Sequence, residues 1–279
     1  MMYHGQPGFY PRLVAFFVLA FAWSWICWLL SSMFRPQWSI LGMVLFIAGG
    51  FGPSIAAIAV VRCTNGQDGL RYWLKPLLQW RMDWRWLALS FFLPLAVMGL
   101  ATAVHIALGG TISPSPASGH VLLAVVNFGL VLLFGGPLGE EFGWRGYALP
   151  VLQKHFGWRV ASLGLGLVWG TWHLPLFYMT DTAQRYIPVG LFMVSTVALS
   201  VLFAWLFNRT GGSVLPALVL HTAVNAWAWI VPIMVMPDGG NLRPYGLTVG
   251  VLVLIALGLL CDARPHRSMR SSKSKLGSV

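Results

Sequence analysis

The chain has 279 residues, of which 57% are hydrophobic and only 9% charged, against roughly 25% charged in ordinary soluble domains. So little charge cannot cover a water-soluble globule of this size, and 31 glycines with 15 tryptophans suit membrane helices, so soluble, disordered and fibrous classes are excluded. Lys and Arg number 18 against 7 Asp and Glu, a formal charge of +11, and the only two glutamates, Glu140 and Glu141, are neighbours.

Continuous apolar runs predict eight spans, at about 12–34, 39–61, 86–108, 120–138, 158–178, 187–208, 213–236 and 244–261. The runs do not alternate as barrel strands do, so the fold class is all-α, a polytopic transmembrane helical bundle. Breakers fall between the runs: Arg35-Pro36, Thr64-Asn65-Gly66, Gly109-Gly110 and Gly211-Gly212. An even count puts both termini on one side. If that side is the cytoplasm, the basic residues divide 15 inside to 3 outside (Arg35, Arg185 and Arg243), as the positive-inside rule requires. The membrane domain is 1–262, its motif-bearing core about 120–236, and 263–279 reads as a basic disordered cytoplasmic tail. The segment Arg62 to Arg85 interleaves Trp73, Trp80 and Trp84 with basic residues, and reads equally as an interfacial amphipathic helix or an anchored loop.

Because the charge lies between apolar spans rather than on one basic face, it points to orientation and contact with membrane lipids, not nucleic acid. Cys27, Cys63 and Cys261 are far apart and support neither a disulfide framework nor a cysteine metal site. The first run is too long for a signal peptide and stays as a helix. No GxSxG elbow, HExxH or Walker loop is present.

Ionisable residues inside spans are expensive and mark function by default. In Glu140-Glu141-Phe142-Gly143-Trp144-Arg145, Glu141 and Arg145 are four apart on one helix face and form an ion pair. Glu140 points elsewhere and has no such partner, which suits a working base. Gly135, Gly139 and Gly143 form a stripe that lets a neighbouring helix approach. The plain alternative is an ion pair that anchors a helix end at the inner interface. His173 lies deep in the fifth run, and the turn between the fourth and fifth runs centres near Phe156-Gly157. An antiparallel hairpin about that turn brings Glu140 and His173 to one depth. His221 and Asn225, four apart, share a face of the seventh run and offer hydrogen-bonding heads to one cavity; interhelical glue is the plain alternative.

Glu140-Glu141 with Arg145 resembles the EExxxR motif of the CPBP intramembrane proteases, the group related to the type II CAAX prenyl endopeptidases and called Abi proteins. His173 falls at the histidine of that family's second motif, usually FxxxH, with Trp169 in the aromatic place, and His221 with Asn225 matches its HxxxN motif. The swap to Trp bears on packing rather than chemistry. The resemblance implies an intramembrane endopeptidase in which Glu140, helped by His173, activates a water, His221 and Asn225 hold the oxyanion, and Glu141 with Arg145 keeps the helix in register. It allows a divalent metal such as Zn2+ on Glu140, His173 and His221, and equally a metal-free glutamate mechanism. The implied partner is a peptide or a lipidated, hydrophobic protein, met in the plasma membrane. The competing class is a non-enzymatic membrane protein, a transporter, bacteriocin-immunity factor or scaffold using the same buried polar cluster. No pair of similar halves of the transporter kind is visible.

Overall fold

The computed structural model describes residues 9–34, 39–112, 121–180, 182–233 and 241–262, and among these every regular element is helical. The helices are α1 (Phe9–Met33), α2 (Ile40–Gly50), α3 (Gly52–Leu77), α4 (Arg85–Ala107), α5 (Val121–Phe134), α6 (Pro137–Gly143), α7 (Leu149–Trp172), α8 (Val189–Arg209), α9 (Leu215–Ile230) and α10 (Arg243–Cys261). A π-helical stretch, Trp144–Ala148, joins α6 to α7, and a short 3₁₀ turn, Leu174–Tyr178, follows α7. Prolines start several helices, as Pro53 in α3, Pro137 in α6, Pro216 in α9 and Pro244 in α10, where the missing N–H would find no partner in any case.

Each of the eight apolar runs contains a helix, and the protein is an integral membrane protein. Among the described residues, five helical stretches are long and apolar enough to cross a bilayer: Tyr10–Met33, Arg85–Ala107, Pro137–Tyr178 (which is broken at Gly157), Val189–Arg209 and Arg243–Cys261. The α2–α3 pair, bent by 56° at Phe51, makes a sixth, while Val125–Phe134 and Leu215–Ile230 are shorter apolar helices. The fourth run stops early because Gly136, at φ 105°, turns the chain before Pro137 begins a new helix.

The interval between the fourth and fifth runs, 139–157, is helical, and most of 139–151 is buried in the bundle. The reversal comes at Gly157, whose φ of 73° and ψ of 159° interrupt α7, so the predicted turn position is correct. Arg145, counted above among the inside charges, is buried at 1% exposure. The expected tail, 263–279, lies outside the described residues.

Packing places this hairpin at the centre. α7 lies along α8, α10 packs on α8 and α4, α4 on α9, and α1 on α2 and α3. The inward face of α1 reads Leu13, Phe16, Ala20, Ser24 and Trp28, at helical spacing. α6 crosses α3 at very close range. A Cβ on Gly139 would strike the backbone of Gly50 and Phe51, and one on Gly143 would strike that of Pro53. Two of the three stripe glycines are thus required by backbone contact; at Gly135 the nearest atoms belong to Val131 of its own helix. Below the hairpin, α3 kinks at Gly66 (φ 70°) and continues to Leu77, where Trp73 Nε1 donates to the Gly146 carbonyl at 3.0 Å. Residues 78–84 then form a loop with Trp80 and Trp84 exposed, so the basic segment is part docked helix and part loop.

Candidate active site

Glu140 sits in the first turn of α6, with its backbone N–H donating to the Gly136 carbonyl at 2.9 Å. A Cβ at Gly136 would collide with Glu140 Oε1, so glycine there both allows the positive φ and leaves the carboxylate room. The π-helical stretch that follows widens the helix by one residue just after the glutamates, an insertion common beside functional sites.

The two glutamates have different surroundings. Glu141 is fully buried, and its Oε1 accepts from Arg145 Nη1 at 2.9 Å and from His221 Nδ1 at 2.7 Å. The Arg145 guanidinium packs against two nearly perpendicular rings, 4.4 Å from the Trp169 centroid and 3.9 Å from that of Phe203. Glu140 Oε2 accepts instead from the indole Nε1 of Trp169 at 2.6 Å. A cavity of about 960 Å3 is lined by Glu140, His173, His221, Asn225 and Trp169, but not by Glu141 or Arg145. The helical-spacing argument therefore separates the glutamates correctly. It does not foresee that Glu141 also holds His221, a residue 80 positions away.

Hydrogen-bond partners decide the histidine tautomers. His173 Nδ1 lies 2.8 Å from the Trp169 carbonyl, which can only accept, so Nδ1 carries the proton and Nε2 keeps its lone pair. His221 Nδ1 faces a carboxylate held by Arg145 and likewise donates. In its neutral form each histidine thus offers Nε2 as an acceptor. His221 becomes an Nε2–H donor only as the imidazolium, a charge that Glu141 is placed to balance. Asn225 Nδ2 makes one long bond, 3.3 Å, to the Gly135 carbonyl, which leaves an amide hydrogen for a ligand.

Trp169 is the functional residue that the sequence underrates. Its ring N–H reaches the Glu140 carboxylate, so the change from Phe to Trp is chemical as well as steric. The available signal is that Trp169 precedes His173 by one helical turn, and that an indole is the one apolar ring with an N–H donor. Among the described residues, no three of His, Cys, Asp and Glu converge closely enough to hold a metal ion, and that includes the set Glu140, His173 and His221.

The sequence profile of the type II CAAX prenyl endopeptidase Rce1-like family matches residues 122–227, the stretch that holds the whole cluster. Over these residues the chain is similar to that family. It is also 25% identical over 225 residues to CAAX prenyl protease 2 of Methanococcus maripaludis, an alignment covering 77% of this chain and 82% of that protein. In the Rce1-like stretch, α6 supplies both glutamates, α7 supplies Trp169 and ends at His173, and α9 supplies His221 and Asn225. Residues 9–112 and α10 close the cavity with apolar walls such as Trp28, Val97 and Val249.

Proposed function

We propose that the protein is an intramembrane endopeptidase of the CAAX-processing type, which hydrolyses a peptide bond near the membrane with a water activated by Glu140. The observation that carries this reading is the convergence of Glu140, His173 and His221 on one largely apolar cavity in an Rce1-like chain. A water that donates one hydrogen to Glu140 and the other to His173 Nε2 turns a lone pair towards a scissile carbonyl. As its oxygen bonds to the carbonyl carbon, the proton passes to Glu140. The carbonyl oxygen gains the negative charge, which the spare Asn225 amide hydrogen and the imidazolium form of His221 stabilise. When the C–N bond breaks, Glu140 returns the proton to the departing amine. Glu141 and Arg145 stay outside the cavity and hold His221 and the ring of Trp169. Among the described residues no three ligands converge, and the steps proposed here are carried by side chains.

The relative's name suggests the substrate class, a protein with a prenylated C-terminal tail. A cavity of about 960 Å3 with walls such as Phe46, Ile47, Leu93 and Met98 is suited to a lipidated peptide entering from the bilayer. The test uses purified protein in nanodiscs with a farnesylated CAAX peptide and its unprenylated form, followed by mass spectrometry of the fragments. Wild type cleaves, and Glu141→Ala, where folded, cleaves more slowly because His221 loses the carboxylate that holds it. Glu140→Gln loses about 10²–10⁴-fold in kcat, the range for a general base, with an unchanged melting temperature. Failure of wild type to cut either peptide, or a Glu140→Gln variant as fast as wild type, refutes the assignment.

A further inference from the structure

We infer that Trp169 is a positioning residue for the proposed base: its indole N–H clamps one oxygen of Glu140 and so aims the other at the bound water. This rests on the reading of Glu140 given above, and the geometry adds to it in three ways. First, the 2.6 Å contact joins a group that only donates to a group that accepts, so the bond cannot be reversed by rotating a hydroxyl or flipping an amide. It takes Oε2, and it leaves Oε1 beside Gly136, which is itself part of the cavity wall.

Second, the indole is locked. Trp169 is 3% exposed, Arg145 covers its face, and the rings of Phe203 and His221 stand edge-on at 5.8 and 5.5 Å. The last torsion of a glutamate is broad, so a carboxylate with no fixed donor would sample many orientations. Third, the same residue fixes the helper as well. The Trp169 carbonyl accepts a hydrogen bond from His173 Nδ1–H and so leaves the lone pair on Nε2. Trp169 thereby holds both groups that would share the water, one through its ring and one through its backbone.

Trp169→Phe keeps the carbonyl and most of the ring but deletes the donor. Trp169→3-benzothienylalanine goes further, since sulfur replaces the N–H in a bicycle of nearly the same shape. Both variants should lose about 10–100-fold in kcat, the scale expected when a catalytic group is misplaced by about an ångström. KM should stay within about two-fold, because the N–H touches Glu140 rather than the substrate, a split that mere loosening of the fold does not produce. In a Glu140→Gln background, Trp169→Phe should cause no further loss of the residual rate. Wild-type kcat in the benzothienylalanine variant, with Glu140→Gln inactive, overturns the clamp alone. A loss appearing only in KM does the same. Full activity in Glu140→Gln overturns the base and the clamp together.

Discussion

Glu141→Gln tests the buried charge network beneath the cavity. The substitution keeps the shape of the side chain and one carbonyl acceptor but removes the negative charge. Arg145, 1% exposed, is then a cation in the protein interior without its hydrogen-bonded counter-ion, left with the charge of Glu140 and the rings of Trp169 and Phe203. Its Nε and Nη2 have no hydrogen-bond partner even in the wild type, so the 2.9 Å bond to Glu141 carries most of its compensation. Removing one member of a buried pair costs about 3–5 kcal/mol, because the survivor stays desolvated and unpaired. At about 2–4 °C per kcal/mol for a chain of this size class, the melting temperature should fall by about 6–20 °C. The 15 tryptophans allow this to be read by intrinsic fluorescence in detergent at one fixed scan rate. Glu141→Gln combined with Arg145→Met removes both charges and should recover at least half of the loss, since a buried pair is worth little more than well-packed apolar groups. A fall below about 2 °C in the single variant, or a double variant worse than the two singles added, refutes the account.

Gly143→Ala should lower stability by about 1–3 kcal/mol, because its Cβ would press on the Pro53 backbone, whereas Gly164→Ala on the same hairpin meets nothing within 4 Å and should be neutral or mildly stabilising; thermal unfolding of the two side by side reads the contrast. Dialysis against EDTA should leave the cleavage rate within about two-fold, since among the described residues no three ligating side chains converge. A loss restored by stoichiometric Zn2+, with the ion found by elemental analysis, refutes that expectation.

Much of the site can be read from the sequence because its logic is local. The four-residue spacing of Glu141 and Arg145 needs only helix geometry, and the 2.9 Å bond follows from it. The reversal at Gly157 follows from one glycine between two apolar runs, and with it the meeting of α6 with the end of α7. What stays hidden is where one helix meets another that is distant in sequence. The bond from His221 to Glu141 joins α9 to α6, and nothing in either segment's spacing indicates it. The bond from Trp169 to Glu140 is hidden for a different reason, since an aromatic in an apolar span reads as packing until its N–H is seen to have an acceptor.

The sequence by itself indicates a helical membrane protein and that only Glu141 of its two glutamates is spaced to pair with Arg145. Both conclusions rest on charge being costly in lipid and on the 3.6-residue period of the helix. Tertiary structure alone decides which helices are long enough to cross, that most of 139–151 is buried in the bundle rather than lying at the surface, and which ring nitrogens keep a lone pair. In a membrane bundle the lipid-facing and core-facing sides are both apolar, as along α1, so polarity cannot tell a sequence reader which face packs. The scarcity of acid in the chain identifies the residues to watch; only the fold shows that one of them is sealed against Arg145 and His221 while the other borders the cavity.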